Sequence, residues 1–540
     1  MPASDRSAPS SAEREWWRSA VLYQVYVRSF ADSDDDGVGD LKGLLGRLEH
    51  LQWLGVDAVW LSPVMPSPNA DWGYDVADYC AVLPEYGSMD DLDELIAAAG
   101  RAGIRIVLDL VPNHTSDQHA WFVESQSSVD SERRDWYVWA DPKPDGSAPN
   151  NWVGSFGGPA WSLDPASGQY YLHNFLPEQP DLNWWCDGVR NAFDEILRFW
   201  WDRGVAGFRI DVCNMMIKDA LLRDNPRATE DDPFIMQMFG QRPVFSGNRP
   251  EVHDVLRHWR TTSDGYSPAK VLLGETNVDS LEMLATYYGA DDELHMGFNF
   301  PFIEAPFEAD ALAEIVERIE ALFPSTAWPV WTGSNHDVSR LATRWCEGDP
   351  AKVRLALLML LTLRGTPVLY QGDEIGLTDR VFEEAELLDP VGERFWPYYP
   401  GRDPERTPMQ WEPGPNAGFT SPGVTPWLPL ADAPVNVAEQ RADPESVLHL
   451  VHDLIALRRK SPDLLGGDYR RLPAPDGVWA WRRGTATVVA LNLADDPHDV
   501  ALPTGTGAVV ISTHRGRERT PAGDVLPLDA WEGVVITSRG

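Results

Sequence analysis

The sequence is short of positive charge. It sets 45 lysines and arginines against 83 aspartates and glutamates, a formal net charge of −38. That excess argues against nucleic acid and anionic membranes as partners, and for neutral or cationic ones. Cysteine is scarce as well. Cys80, Cys186, Cys213 and Cys346 lie far apart without a C-x-x-C pair, so neither a disulfide framework nor a zinc cluster is indicated, and a reducing compartment is expected. No run approaches the ~18 apolar residues of a spanning helix, and the start, "MPASDRSAPSSAEREWWRSA", lacks the apolar core of a signal peptide. These absences predict a cytoplasmic protein with no membrane partner. H-E-x-x-H and G-x-S-x-G are missing, which leaves metalloprotease and serine-hydrolase chemistry without support. Nor is there a phosphate-cradling loop with its lysine, as phosphoryl transfer would require. The glycine-rich turn "TGTGAVV" (504–510) is not followed by the helix a nucleotide site needs.

What is present suits a large globular core. The chain has 540 residues, 43% of them hydrophobic, and 24 tryptophans. A single core stops growing well below this length, so two or three domains are expected. Aromatic richness accompanies sugar-binding clefts, but large barrels and interfaces consume aromatics equally.

Short apolar runs alternate with longer amphipathic segments. The runs are "VLYQVYV" (21–27), "DAVWLSPV" (57–64), "IRIVLDLV" (104–111), "VAGFRID" (205–211), "KVLLGET" (270–276), "MGFNFPF" (296–302), "PVWTGSNH" (329–336) and "TPVLYQGDE" (366–374). Eight strands alternating with helices predict an α/β fold, a (β/α)8 TIM barrel. A doubly wound sheet would carry a glycine-rich loop after its first strand, which is missing. Residues 115–185 are rich in Trp, Pro, Gly, Ser and Asp and predict a loop-rich insertion domain after strand 3. From about 465 onward the helical period gives way to short β runs, which predicts a C-terminal antiparallel β-sandwich domain. The barrel then occupies 1–114 and 186–464, with 465–540 as the last domain.

In "DRGVAGFRIDVCN" (202–214), Arg209 and Asp211 share one face of a strand whose other face is Phe208, Ile210 and Val212. Barrel enzymes place their chemistry at the C-terminal ends of strands. Asp211 closes the fourth strand, Glu275 the fifth, and Asp337 follows the seventh; Asp109, Asn113 and His114 mark the third. One aspartate at a strand end is commonly a helix cap. Three acidic residues at corresponding ends of separate strands are better explained by a carboxylate pair that cleaves a glycosidic bond.

The motifs "DLVPNH", "QPDLN" (179–183), "GFRID", "GET", "NHD" and "GTPVLYQGDEIGL", occurring in this order along nearly the whole chain, resemble the α-amylase superfamily of glycoside hydrolases, in its α-glucosidase and oligo-1,6-glucosidase branch. The resemblance implies a retaining mechanism with Asp211 as nucleophile, Glu275 as general acid/base and Asp337 as the third carboxylate. It places Arg209 beside the nucleophile, where a guanidinium fork can hold Asp211 ionised, while Glu275 starts protonated. It also implies that Tyr74 stacks on the terminal glucose, that Asp75, His114 and His336 bind its hydroxyls, and that Arg406 of "GRDPERTPMQW" pairs with Asp75 to close the pocket. Phe175 is a candidate aromatic wall. Such a closed pocket makes the expected activity the exo-acting release of α-glucose from short maltose-, isomaltose- or sucrose-type glucosides.

Linkage stays open. Valine at 212 accompanies α-1,6 activity in the branch, but "CNMMIKD" and Asn277 depart from its pattern. A transglucosylase or isomerase such as trehalose synthase would use the same carboxylates. A non-catalytic homologue would have damaged carboxylates, and these are intact. "DSDDDGVGD" (32–40) can wrap a hard cation, although Gly43 stands where an EF-hand carries its glutamate. The branch has a similar calcium loop, implying a structural Ca2+, or Mg2+, on Asp32, Asp34, Asp36, the Val38 carbonyl and Asp40. No organic cofactor is implied, and the protein is expected as a monomer or homodimer.

Overall fold

The computed structural model describes residues 15–278, 280–324, 326–503 and 507–537. Most of the N-terminal stretch read above for a leader, and the first residues of the glycine-rich turn, lie outside this set. The parallel sheet is built from β1 (Leu22–Val25), β2 (Ala58–Leu61) and β3 (Arg105–Leu110); the insertion then contributes β4 (Trp139–Ala140), β5 (Trp161–Leu163) and β6 (Tyr170–Leu172). The barrel resumes with β7 (Gly207–Ile210), β8 (Val271–Gly274), β9 (Met296–Gly297), β10 (Val330–Trp331) and β11 (Thr366–Tyr370). Eight strands run in the order β10-β11-β1-β2-β3-β7-β8-β9, a nearly closed barrel.

Strand alternation separates two cores. Leu22, Ala58, Trp60, Val107, Val271, Leu273, Met296, Val330 and Val368 cluster in the lumen. Val21, Tyr23, Val59, Leu61, Ile106, Leu108, Phe208, Ile210 and Leu272 face the helices. Because both faces are covered, the strands read as continuous apolar runs. The helices show the complementary one-sided pattern: Asp187–Asp202 buries Val189, Phe193, Ile196, Leu197, Trp200 and Trp201. Each such side chain contributes roughly 1.5–3 kcal/mol on leaving water. Met89–Arg101 buries Leu92, Leu95 and Ala99 and begins at a capping box of Ser88 with Asp91. Ser88→Ala would remove about 1 kcal/mol there.

Every barrel strand is shorter than its apolar run, two of them reduced to a pair of residues. In 296–302 only Met296–Gly297 pairs, because Asn299 caps a short helix, Phe300–Glu304, with its side chain accepting from the Phe302 N–H. In 329–336 only Val330–Trp331 is strand.

The insertion carries a small antiparallel sheet, β4-β6-β5, over a core of Trp152, Ala160, Trp161 and Leu172. The C-terminal strands are β12 (Tyr469–Leu472), β13 (Val478–Arg483), β14 (Thr487–Asn492), β15 (His498–Ala501), β16 (Ala508–Ser512), β17 (Val525–Leu528) and β18 (Gly533–Thr537). They form an antiparallel five-stranded sheet, β12-β13-β14-β18-β16, and a β15-β17 pair. Ala480, Val488, Ala490, Val500, Leu526, Leu528, Val534 and Ile536 fill the space between the two. Trp479, Trp481, Val489, Leu491 and Val535 on the other face join the main core. Among the described residues no helix is long and apolar enough to cross a membrane.

Candidate active site

The register of the parallel sheet sets Asp109 beside Arg209, and Arg209 beside Leu273. One residue past the β7 pairing, the Asp211 N–H donates to the Leu110 carbonyl (2.8 Å), and the Glu275 N–H donates to Ile210 (2.8 Å). The backbone thus delivers Asp211 and Glu275 to one level at the C-terminal mouth. Val212 then turns into the left-handed region (φ 32°, ψ 47°), a costly conformation for a β-branched residue, and its N–H donates to Glu275 Oε2 at 2.9 Å.

Arg209 is the hub. Its Nη1 donates to Asp211 Oδ1 (2.7 Å) and Asp109 Oδ1 (2.9 Å), and its Nη2 meets Glu275 Oε2 at 2.7 Å. Trp60 Nε1 and the Tyr74 hydroxyl, each 3.1 Å away, also donate to Asp109. One guanidinium therefore serves three carboxylates. Burial pushes Asp211 well above the ordinary carboxylate range; Arg209 pulls it down, but Glu275 and Asp109 add to the upward push. Burial likewise raises Asp109 to about 7 against the pull of Arg209. Arg209 was expected to hold Asp211 ionised, but one cation cannot offset burial and two further carboxylates.

Asp337 differs. Burial would raise it, but His336, Arg402, Arg406 and Arg209 outweigh that and hold it well below the usual range. Arg406 Nη2 donates to Asp337 Oδ1 at 2.8 Å, and its Nε donates to the His336 carbonyl at 2.8 Å. His336 is fully buried behind the pocket. Gln24 Nε2 lies 2.8 Å from its Nδ1, while its Nε2 faces the Tyr74 hydroxyl and, at 3.1 Å, Asp337 Oδ2. Burial depresses His336 well below 6.5 against the pull of Asp337, and lowers His114 to about 4.

A cavity of about 460 Å³ opens over these groups, a volume suited to a small ligand. Tyr74, His114, Phe175, Asp211, Glu275 and Asp337 line it, as do Asp71 and Arg402. The expected partnership of Asp75 with Arg406 is not what the fold makes. Asp75 is fully buried in its own loop, accepting from Ser67 Oγ (2.7 Å) and the N–H groups of Ala70 (2.9 Å) and Asp71 (3.0 Å). Arg402 Nη2 instead meets Asp71 Oδ1 (2.7 Å) and Asp389 Oδ1 (2.6 Å), and Nε meets Asp389 Oδ2 (3.0 Å). Asp71 and Arg402 thus close the pocket end, while Arg406 is engaged with Asp337. Sequence reasoning also passed over Asp389 and the apolar mouth residues Phe156, Met215 and Phe239. The two arginines lie four residues apart in "GRDPER", Arg402 at the N-cap of the 3-10 helix Asp403–Arg406 and Arg406 ending it.

The acidic loop 32–40 follows β1. Carboxylate atoms of Asp32, Asp34 and Asp40 come within 4.8 Å of one another. Asp36 lies outside that group and accepts from the Val38 N–H at 2.8 Å. Asp40 also caps the helix Leu41–Gly46.

Paired carboxylates bridged by one arginine at the mouth of an eight-stranded barrel, over a pocket closed at one end, define a glycoside hydrolase. Residues 24–467 match the family model of the α-amylase catalytic domain. A probable α-glucosidase of Rhizobium meliloti (strain 1021) is 42% identical over 509 residues, covering 91% of this chain and 92% of the relative. An oligo-1,6-glucosidase of Heyndrickxia coagulans is 36% identical over 534 residues, covering 89% and 93%. The crystal structure of an α-glucosyl transfer enzyme, XgtA, superposes with a TM-score of 0.90 at 42% identity, covering 97% of this chain and 99% of that one. The chain belongs to the α-amylase family of glycoside hydrolases, in its α-glucosidase branch.

Proposed function

We propose that the protein is an exo-acting, retaining α-glucosidase that releases α-glucose from the non-reducing end of short glucosides of the maltose, isomaltose or sucrose type. The observation that carries this reading is the pocket end, where Asp71, Arg402 and Asp389 form a buried ion-pair cluster beyond Asp337. A chain cannot pass through it, so only a terminal sugar enters. A single guanidinium bridges Asp211 and Glu275, a close spacing that suits a retaining pair better than the wider gap inverting enzymes keep for a water.

In this mechanism Asp211 as carboxylate attacks the anomeric carbon while Glu275, as general acid, delivers a proton to the leaving oxygen. Water then enters, Glu275 takes its proton, and the glucosyl–Asp211 ester is cleaved with α-glucose as product. Asp337, ionised, faces the sugar hydroxyls, and His114 and Tyr74 flank the ring. Transfer to a second sugar is the alternative reading, favoured by the aromatic mouth (Phe156, Phe175, Phe239) and by the likeness to a transfer enzyme.

The test is product analysis with maltose, isomaltose, sucrose and trehalose, using Asp211→Asn as control. Glucose from at least one substrate, abolished in a folded Asp211→Asn, is the expected result. Turnover persisting in that variant would remove Asp211 from its role.

The same proposal includes a cytoplasmic, monomeric or homodimeric protein. It also includes a structural Ca2+ held by Asp32, Asp34 and Asp40, with Asp36 and the Val38 carbonyl as further oxygen donors and Mg2+ as the alternative ion. The hard-oxygen donor set fits such an ion, and among the described residues no lysine or arginine pairs with these aspartates. Calcium should raise the melting temperature of the wild type and not of Asp34→Ala.

A further inference from the structure

Arg394 lies outside the reacting groups, exposed on the short helix Pro390–Phe395 that follows the last barrel strand. Its Nη1 donates to two main-chain carbonyls of the insertion, Phe156 at 2.7 Å and Gly157 at 2.8 Å. Those carbonyls sit on a tight turn. The Gly157 N–H donates to Gly154 (2.9 Å), the Gly154 N–H donates to Gly158 (3.0 Å), and Gly157 and Gly158 both have left-handed φ, 78° and 79°. The turn lies against the helix: a Cβ at Gly157 would stand 3.1 Å from the Phe395 ring. Phe156, at its tip, lines the catalytic pocket. Its ring is 5.2 Å from Phe175 in an edge contact and 5.0 Å from the Arg402 guanidinium, but neither contact anchors the main chain of the turn. Arg394 does so with charge-assisted bonds from a separate part of the chain.

We propose that Arg394 is a positioning residue that clips the Phe156 turn across the pocket mouth and so sets selectivity for the leaving group. The proposal rests on the glucosidase reading of the pocket. The terminal glucose is held at the closed end by Asp71 and Arg402, so Phe156 at the open end meets only what is attached to that glucose. Releasing the clip should weaken binding of the attached sugar and leave the chemistry at the anomeric carbon alone. Lysine keeps the charge on a shorter, more mobile stem and should give partial rescue.

The experiment compares wild type, Arg394→Ala, Arg394→Lys, Phe156→Ala and the Arg394→Ala/Phe156→Ala double variant. Substrates are the preferred disaccharide and α-glucosyl fluoride, whose leaving group is too small to touch Phe156. The expected result is a KM for the disaccharide raised about tenfold in Arg394→Ala, with kcat and the fluoride reaction changed less than twofold. Arg394→Lys should fall between, and the double variant should lose no more than Phe156→Ala alone. Equal losses on both substrates, additive losses in the double variant, or an unchanged disaccharide KM would overturn the proposal. Hydrogen exchange of the amides at 154–160 separates the clip from the activity. Faster exchange in Arg394→Ala supports the clip even if the wild type turns over no α-glucoside, a result that would sink the glucosidase reading instead. Unchanged exchange overturns the clip.

Discussion

Replacing Arg402 by lysine keeps a positive charge and removes a planar fork, so it asks whether the pocket end depends on charge or on geometry. Arg402 holds Asp389 through two contacts (2.6 and 3.0 Å) and Asp71 through one of 2.7 Å, and it lies 3.4 Å from Asp337. A lysine ammonium is compact and can meet one of the two aspartates well. At least one charge-assisted bond to a buried carboxylate is lost, about 1.5–3 kcal/mol, and a carboxylate left alone in the interior adds to that. A loss of about 3 kcal/mol in folding stability follows, at the lower edge of what breaking a buried ion pair removes. If Asp71 then swings from the sugar, a similar loss of transition-state binding lowers kcat/KM about a hundredfold. The pH dependence has a sign. Burial raises Asp389, but Arg402's charge and hydrogen bonds reverse this and leave it below the ordinary value. A depressed folded pKa stabilises the protein above the unfolded value of about 3.9, and that stability is lost as pH falls through the folded pKa. The deficit of Arg402→Lys should therefore be full at neutral pH and shrink toward acid. Urea unfolding from pH 7 down to about pH 2, with disaccharide kinetics at neutral pH, measures both effects. A lysine variant equal to wild type in stability and KM would refute the fork argument.

Asp71→Asn should raise KM about tenfold or more and also lower the urea midpoint, because its buried bond to Arg402 is weakened, whereas Asp75→Asn should remove about 1–3 kcal/mol of stability with little change in KM, because its carboxylate accepts three hydrogen bonds inside its loop; urea unfolding beside kinetics separates the two. Glu275→Gln should lose roughly 10²- to 10⁴-fold in kcat on a disaccharide and far less on p-nitrophenyl α-glucoside, whose leaving group needs no proton. Asp109→Asn removes one of the charges that push Asp211 upward. The acidic limb of its kcat/KM profile, where the nucleophile must be ionised, should move to lower pH, as pH–rate profiles of both forms will show.

The barrel was legible because its strands are covered on both faces. Eight apolar runs of that kind, separated by one-sided helices such as Asp187–Asp202, leave few alternative folds. The reach of the strands was less legible, since "MGFNFPF" reads equally well as strand or as a helix capped by Asn299, and only tertiary packing decides. Asp211 and Glu275 could be placed because strand alternation and strand ends fix a direction. Asp75 and Arg406 belong to loops, where no period does so. In "DWGYD" either aspartate can turn inward, and the turn that gives Asp75 three donors leaves Asp71 for the pocket. In "GRDPER" both arginines turn inward, and what separates their roles is a partner more than 300 residues away in sequence for one, Asp71 for Arg402, and Asp337 for the other. Phe156 and Arg394 meet through main-chain carbonyls, a contact that leaves no trace in residue types. The raised pKa of Asp211 depends on how many carboxylates share one guanidinium, which only the folded chain reveals.

The most direct measurement is the configuration of the first product. Proton NMR of the protein with isomaltose, maltose or sucrose, followed from the earliest minutes, distinguishes α- from β-glucose before mutarotation mixes them. The account predicts α-glucose first, as double displacement through Asp211 requires; β-glucose first would contradict it.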